Sequence, residues 1–407
     1  MPRRATGRGE TLSCNLTGSQ KARAAAFVER WKTGKGPKVD AEAFWEANDR
    51  ATRDPFARDC PQFPLGIMMS DECVFNELGL RSDWHRLFHD NEFHASLCRR
   101  YNDLAEKEVG RRLVREDLAV LPDCPRPREL SDIFEAKSEW REEAWSYWLY
   151  ESAHDEGELE ALLDRVERRL EELGAFILPP DWGERKAAWL AAGRTLPLYR
   201  HQRGPVTFAT SVFGAENLIF LINDNPDLAG RFRDLILRAI LERARIIDAE
   251  AGFTAVSAPH GWSFADDNCS LLSPEMYRFF GFPILKAVFE ARSPDPADRR
   301  FQHSDSEMAH LLPILGELGL TELNFGPAIP IQSIRAHCPR AVIQGQLSPM
   351  AFCRNEEENI VAETIRDFEA TRETRGVLYF TAGSINPGSR LSGLRLIMAA
   401  IHEFCRY

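Results

Sequence analysis

The sequence predicts an α/β protein: a (β/α)8 barrel of the TIM type preceded by a helical N-terminal extension. Three observations predict it. From residue 155 onward, short apolar segments alternate with longer amphipathic ones at roughly 25–45 residues per unit, the pattern of parallel strands covered by helices. About six such units are visible, and the segment near 61–70 offers a further strand. No Gly-x-Gly-x-x-Gly follows any predicted strand, so a closed barrel fits better than an open dinucleotide-binding sheet.

Residues 1–20 are rich in Gly, Arg, Ser and Thr without periodicity and are expected to form a disordered tail. Residues 21–150 are expected to be a mostly helical extension or cap. Helices are predicted over 21–31, from Asp40, and around 73–80, 83–89 and 95–115, with a loop at 122–127. Trp140, Trp145 and Trp148 recur at helical spacing, which suits packing or an interface. Met68-Met69-Ser70-Asp71-Glu72 reads as a barrel-end loop or as an acidic helix start.

Residues 151–407 carry the predicted barrel. Glu158 to Leu173 places Leu159, Leu162, Leu163, Val166 and Leu170 on one helical face. A short strand is expected over 175–178, closed by Pro179-Pro180. Then follow strand 206–212, helices 215–223 and 226–250, strand 253–258, helix 274–291, strand 299–303 and helix 306–318. Strand 321–325, helix 330–337, strand 341–345, helix 356–370, strand 376–381 and helix 391–403 complete the chain. Asn225-Pro226 and Ser273-Pro274 are cap-and-proline helix starts.

Net charge is −11 with a pI near 5.5. Such a balance lacks the basic face that supplies most nucleic-acid affinity, and it does not suit an anionic membrane surface. No apolar run approaches the roughly 20 residues that span a bilayer, and no apolar segment follows the basic start. The nine cysteines are scattered without a Cys-x-x-Cys pair, which points to reduced thiols and a cytoplasmic protein.

In a barrel of this kind the reacting groups sit past the C-terminal ends of the strands. That rule selects Glu216 and Asn217, His260, Asp266 and Asp267, His303 and Asp305, Asn324, Gln344 and Gln346, and Ser384. His303 and Asp305 stand two residues apart on an extended segment, so both side chains face one metal ion or one substrate proton. The same pair also suits a structural imidazole–carboxylate contact. Asp266-Asp267 serves either chemistry or the capping of the next helix. Gln344, Gln346, Asn324, Ser384, His260, Glu216 and Asn217 are the candidate substrate-binding groups. Arg200 and Arg203 flank His201 and read either as carboxylate-binding groups or as solvated surface arginines.

Several motifs then combine. Gly204-Pro-Val-Thr207, Gly214-x-Glu-Asn217, Asp224-Asn-Pro-Asp-Leu228, Asp266-Asp267 and Leu272-Ser-Pro-Glu-Met-Tyr277 resemble the uroporphyrinogen decarboxylase superfamily. So do the His303 strand, Gly316-Glu-Leu-Gly319, Gln344-Gly-Gln-Leu-Ser-Pro349 and Thr381-Ala-Gly383. The resemblance covers about residues 155–407. It implies either porphyrin decarboxylation or methyl transfer linked to a corrinoid. The Met-Arg-Gln-Ala-Gly-Arg signature of true uroporphyrinogen decarboxylases is missing from residues 1–100, so the chain resembles a divergent branch.

The thiol methyltransferases of the superfamily hold zinc with a His-x-Cys pair and a later Cys. The matching positions here are His303, Asp305 and Ser384, so both thiolates are replaced. Zinc that activates a thiol prefers sulfur ligands. The resemblance therefore implies a harder-ligated divalent metal such as zinc on His303 and Asp305, or no metal. The leading expectation is demethylation of a small polar substrate, with the methyl group passed to a separate corrinoid protein, since the chain has no Asp-x-His-x-x-Gly. His303, Asp305, Asp267 and Asp266 would carry the catalysis. The alternatives are a decarboxylase of a carboxylated or porphyrin-like substrate and a degenerate binding barrel. A homodimer is compatible with all three.

Overall fold

A computed structural model describes residues 16–67, 69–116 and 124–407. Residues 1–15 of the tail expected over 1–20, Met68 and residues 122–123 of the expected loop lie outside the described residues; Gly18 to Gln20 of that tail instead open a helix capped by Thr17. The architecture is mixed α/β with parallel strands. In chain order the strands are β1 (Lys137–Arg141), β2 (Ser146–Tyr150), β3 (His201–Arg203), β4 (Trp262–Ala265), β5 (Arg300–Ser304), β6 (Glu322–Phe325), β7 (Val342–Gln344) and β8 (Val377–Leu378). The chain forms two compact units. Among the described residues, one comprises 16–67, 69–82, 97–115 and 324–407, and the other comprises 83–96, 116 and 124–323.

In the first unit the N-terminal helix Gly18–Lys32 packs on the helices Glu357–Thr371 and Leu391–Phe404. The Phe27 and Phe404 rings meet edge-on at 5.3 Å, and Gln20 Nε2 donates to Glu369 at 2.9 Å. β7 and β8 pair in parallel, with Ile343 opposite Val377 and Gln344 opposite Leu378. The 61–70 segment does supply strand-like pairing. Leu65 bridges Tyr379 in parallel, and the Gly66 N–H donates to the Tyr379 carbonyl at 2.9 Å. A Cβ on Gly66 would lie 2.3 Å from the Phe380 ring, so only glycine lets the two backbones approach.

Against the Gly345–Ser348 segment of this unit sits a buried charged group. The Ser348 N–H donates to Glu363 at 2.7 Å, Arg366 donates to Asp367 at 2.8 and 3.0 Å, and a further Arg366 N–H reaches the Gln346 carbonyl at 3.1 Å. Arg366 is spent mainly on Asp367, lying 4.0 Å from Glu363. Burial therefore pushes the Glu363 carboxyl from 4.5 up to about 7. The folded chain then binds more protons than the unfolded chain between these values, so stability falls as pH rises through that window. The loss is on the order of 3 kcal/mol. Glu363→Gln keeps an acceptor for Ser348 and removes this dependence. Urea unfolding at both edges of the window checks it, and an equal pH slope in parent and variant would refute it.

In the second unit the helix Glu156–Glu171 buries the predicted leucine face against Pro226–Glu250. β3, β4 and β5 are parallel neighbours: Arg203 lies opposite Ala265, and Ala265 opposite His303. β6 crosses the boundary between the units. The predicted strands at 299–303, 321–325, 341–345 and 376–381 coincide with β5 to β8.

Four predicted elements are corrected. Residues 206–212 are not a strand but the helix Pro205–Phe213, and 175–178 close the helix Leu173–Ile177. Both are short, mainly apolar runs, for which strand and helix patterns cannot be told apart by periodicity alone. Residues 253–258 are turns, and the strand lies later, at Trp262–Ala265. Trp140, Trp145 and Trp148 do not share a helix: they belong to an antiparallel hairpin in which Trp140 faces Tyr147 and Glu139 faces Trp148. Trp145 occupies the hairpin turn at φ 51° and stacks on Trp84 at 4.6 Å.

The eight described cysteines are free, and seven are buried. Among the described residues no single helix is long and apolar enough to cross a membrane.

Candidate functional site

The site is built where β3, β4 and β5 end. The β4 correction matters here, because it puts Asp266 and Asp267 immediately past the strand. Asp266 is fully buried and accepts from the Thr207 N–H (2.7 Å), the Thr207 hydroxyl (2.8 Å) and the Val206 N–H (3.4 Å). It thereby caps the helix Pro205–Phe213, whose own N-cap, Gly204, has no side chain to do so. A Cβ on Gly204 would lie 2.0 Å from that of Asp266, so the cap requires glycine there. Burial, only partly offset by these hydrogen bonds, raises the Asp266 carboxyl to about 6. Its oxygens are consumed by the cap.

Asp267 turns the other way. Its Oδ1 accepts the Asp305 N–H at 2.7 Å, and its carbonyl accepts the Ser306 hydroxyl at 2.6 Å. His303, at the end of β5, holds Nε2 3.3 Å from Asp305 Oδ1. Ligand-type atoms of Asp267, His303 and Asp305 all lie within 4.8 Å of one another. The predicted His303–Asp305 pair is thus present, and Asp267 joins it.

Asp267 also lines a cavity of about 840 Å3. It is lined by His201 and Arg203, which are exposed and alternate with buried Gln202 along β3. Its walls include Thr207, Thr210, Asn268 and His154, and the hairpin residues Trp148 and Tyr150. His201 Nδ1 is 3.0 Å from the Ser263 hydroxyl. Burial first, then Arg299 and His303, lowers its pKa, which favours a neutral imidazole.

The other expected residues divide. His260 precedes β4 rather than following it, so the strand-end argument does not apply; it pairs with Asp298 at 2.9 Å and Asp295 at 3.7 Å. Glu216 is exposed in the first turn of the helix Ala215–Asp224. Asn217 donates to the Phe213 and His154 carbonyls at 2.8 and 3.1 Å. In the first unit, Asn324 donates to the Gln344 and Thr381 carbonyls and accepts from the Gly383 N–H, tying three strand ends together. Gln346 is 2% exposed, and its Nε2 donates to Gly326 and Ile329 carbonyls. Gln344 is half-buried and Ser384 is exposed.

A family model described as uroporphyrinogen decarboxylase matches residues 186–404, more than half of the chain. The chain belongs to that family. The matched span contains β3 to β8 and every site residue expected from the sequence, whereas the cavity residues Trp148, Tyr150 and His154 precede it. Among solved structures, a methyltransferase from Methanosarcina mazei is similar at 16% identity and a TM-score of 0.46, covering 82% of this chain and 98% of that one. No curated protein matches the chain.

Membership raises the question of the zinc held by some relatives. Among the described residues no cysteine joins His303, Asp305 and Asp267, and Cys269 nearby is buried with its thiol raised well above its ordinary value. The soft-ligand site does not fit. One nitrogen and two carboxylates suit a harder divalent cation, and one of those carboxylates already accepts a backbone N–H. Exchangeable metal at most is expected after dialysis against a moderate chelator. Near-stoichiometric zinc that survives dialysis and vanishes in His303→Ala would overturn this.

In the sequence, Arg203 reads either as a carboxylate-binding group or as a solvated surface arginine, and His201 carries no signal of its own. Both follow from assigning β3, which the apolar run at 206–212 obscured. Arg200, by contrast, is spent on Asp248 at 2.7 Å.

Proposed function

We propose that this chain is a methyl-transfer enzyme that demethylates a small polar substrate and passes the methyl group to a corrinoid carried by a separate protein. The observation that carries the reading is the His303–Asp305–Asp267 cluster at the ends of β4 and β5, one member of which opens into the cavity lined by His201 and Arg203. The corrinoid supplies the nucleophile that accepts the methyl group. The chain's own residues hold the substrate and manage a proton: departure of methyl leaves an oxygen that must be protonated. His303 donates that proton, Asp305 orients its ring, and Asp267 fixes the Asp305 backbone. We assign the family's (β/α)8 barrel to the parallel strands, with the Leu65 segment as a further strand, and place the chain in a branch apart from true uroporphyrinogen decarboxylases.

Decarboxylation is the second reading, favoured by Arg203 as a carboxylate ligand. It is weakened by Asp266, which is spent on the helix cap and leaves Asp267 alone to stabilise a cationic intermediate. The test is to incubate the protein with a reduced corrinoid protein and a panel of methoxylated and carboxylated compounds. The corrinoid spectrum and released carbon dioxide are followed together. Methylation of the corrinoid is expected; carbon dioxide without methylation would establish the second reading, and neither would favour a binding barrel.

A further inference from the structure

We infer that the cavity at the end of β3 binds a flat aromatic acid, its carboxylate on Arg203 and its ring on Trp148; this rests on reading the cavity as the substrate site. Arg203 is accessible to solvent, yet protein surrounds it on enough sides that burial lowers its pKa, as expected of a group lining a cavity. Nη1 donates to the Ser211 hydroxyl at 3.0 Å. Among the described residues no carboxylate lies within the 4.0 Å of an ion pair with it. Asp267 acts on it only at longer range. A guanidinium so placed retains several donors in a planar fork that matches a carboxylate.

The aromatic part follows from the hairpin. All five residues of β2 border the cavity, and Trp148 and Tyr147 are its exposed aromatic rings. Tyr147 is occupied: its ring packs on Trp140 and His89, and its hydroxyl lies 2.8 Å from His89 Nε2. Trp148 is 56% exposed, lines the cavity, and has no ring partner among the described residues. An indole left uncovered on a cavity wall is a stacking platform. At about 840 Å3 the cavity lies within the range of small-molecule sites.

The test is equilibrium binding to the full chain by calorimetry. The probes are 4-methoxybenzoate, methoxybenzene (ring without charge) and cyclohexanecarboxylate (charge without ring). The methoxybenzoate is expected to bind most tightly. Arg203→Gln should weaken it about 10- to 100-fold while leaving methoxybenzene unchanged. Trp148→Ala should weaken it about 3- to 10-fold and leave cyclohexanecarboxylate nearly unchanged. No saturable binding, equal affinity for the uncharged ring, or indifference to Arg203→Gln would overturn the inference. Because binding is read without turnover, a bound acid that yields no methylated corrinoid sinks the methyl-transfer reading alone. Methyl transfer from a neutral substrate that binds independently of Arg203 sinks this inference alone.

Discussion

Replacing His303 with Asn is expected to slow methyl transfer about 10²- to 10⁴-fold, the usual worth of a positioned proton donor. An imidazole has two ring nitrogens, so one can hand a proton to the substrate while the other is held by a carboxylate. Its Nε2 is 3.3 Å from Asp305, a carboxylate that can fix the ring. Asp305→Asn should cost less, about 10- to 100-fold, because the asparagine oxygen still orients the ring. His303 is partly accessible, so the substitution leaves the core intact. Circular dichroism and the unfolding midpoint should therefore stay at parental values. Single-turnover rates of corrinoid methylation provide the measurement. A His303→Asn rate within a factor of three of the parent would remove His303 from proton transfer and leave Asp267 as the remaining donor.

Asp266→Ala is expected to destabilise the protein by about 2–4 kcal/mol. Truncation strands the buried Val206 N–H and the half-buried Thr207 N–H and hydroxyl, and an unsatisfied buried donor costs about 1–3 kcal/mol. Removing the charge recovers some desolvation, since burial already raises this carboxyl to about 6. Asp266→Asn keeps one acceptor for Thr207 and should therefore lose less than Ala. The damage should spread to the cavity. Thr207 also accepts the Asn268 N–H at 2.9 Å, and Thr210 accepts from Asn268 Nδ2 at 2.6 Å. Denaturant unfolding of the parent and both variants tests the order. An Ala variant within 0.5 kcal/mol of the parent, the range of ordinary surface substitutions, would show that the cap contributes nothing.

The alternation of β5 to β8 with their helices was readable because each amphipathic helix has one apolar stripe and each short apolar run is bounded by turn residues. Asn225-Pro226 likewise announces a helix that runs to Glu250 as expected. The His303–Asp305 pair was readable from a spacing of two on a strand. The motifs that resemble the uroporphyrinogen decarboxylase superfamily survive as the family match itself.

Other features are decided only in three dimensions. Val206 to Val212 has the β-branched composition of a strand. It is a helix because Pro205 starts it and Asp266, sixty residues on, caps it. That cap assigns Asp266 to structure and leaves Asp267, its neighbour, for chemistry; no local pattern separates two adjacent aspartates. Arg200 and Arg203 are equivalent in sequence, but Asp248 neutralises the first, whereas among the described residues no carboxylate forms an ion pair with the second. Trp148 reads as a helix-face residue until strand pairing places it on a cavity wall. Local periodicity and turn chemistry are fixed by neighbours in the chain, so the sequence determined the repeating elements and the strand-end pair. Which polar group is spent and which is left for a ligand depends on partners distant in the chain, and the tertiary structure alone decided that.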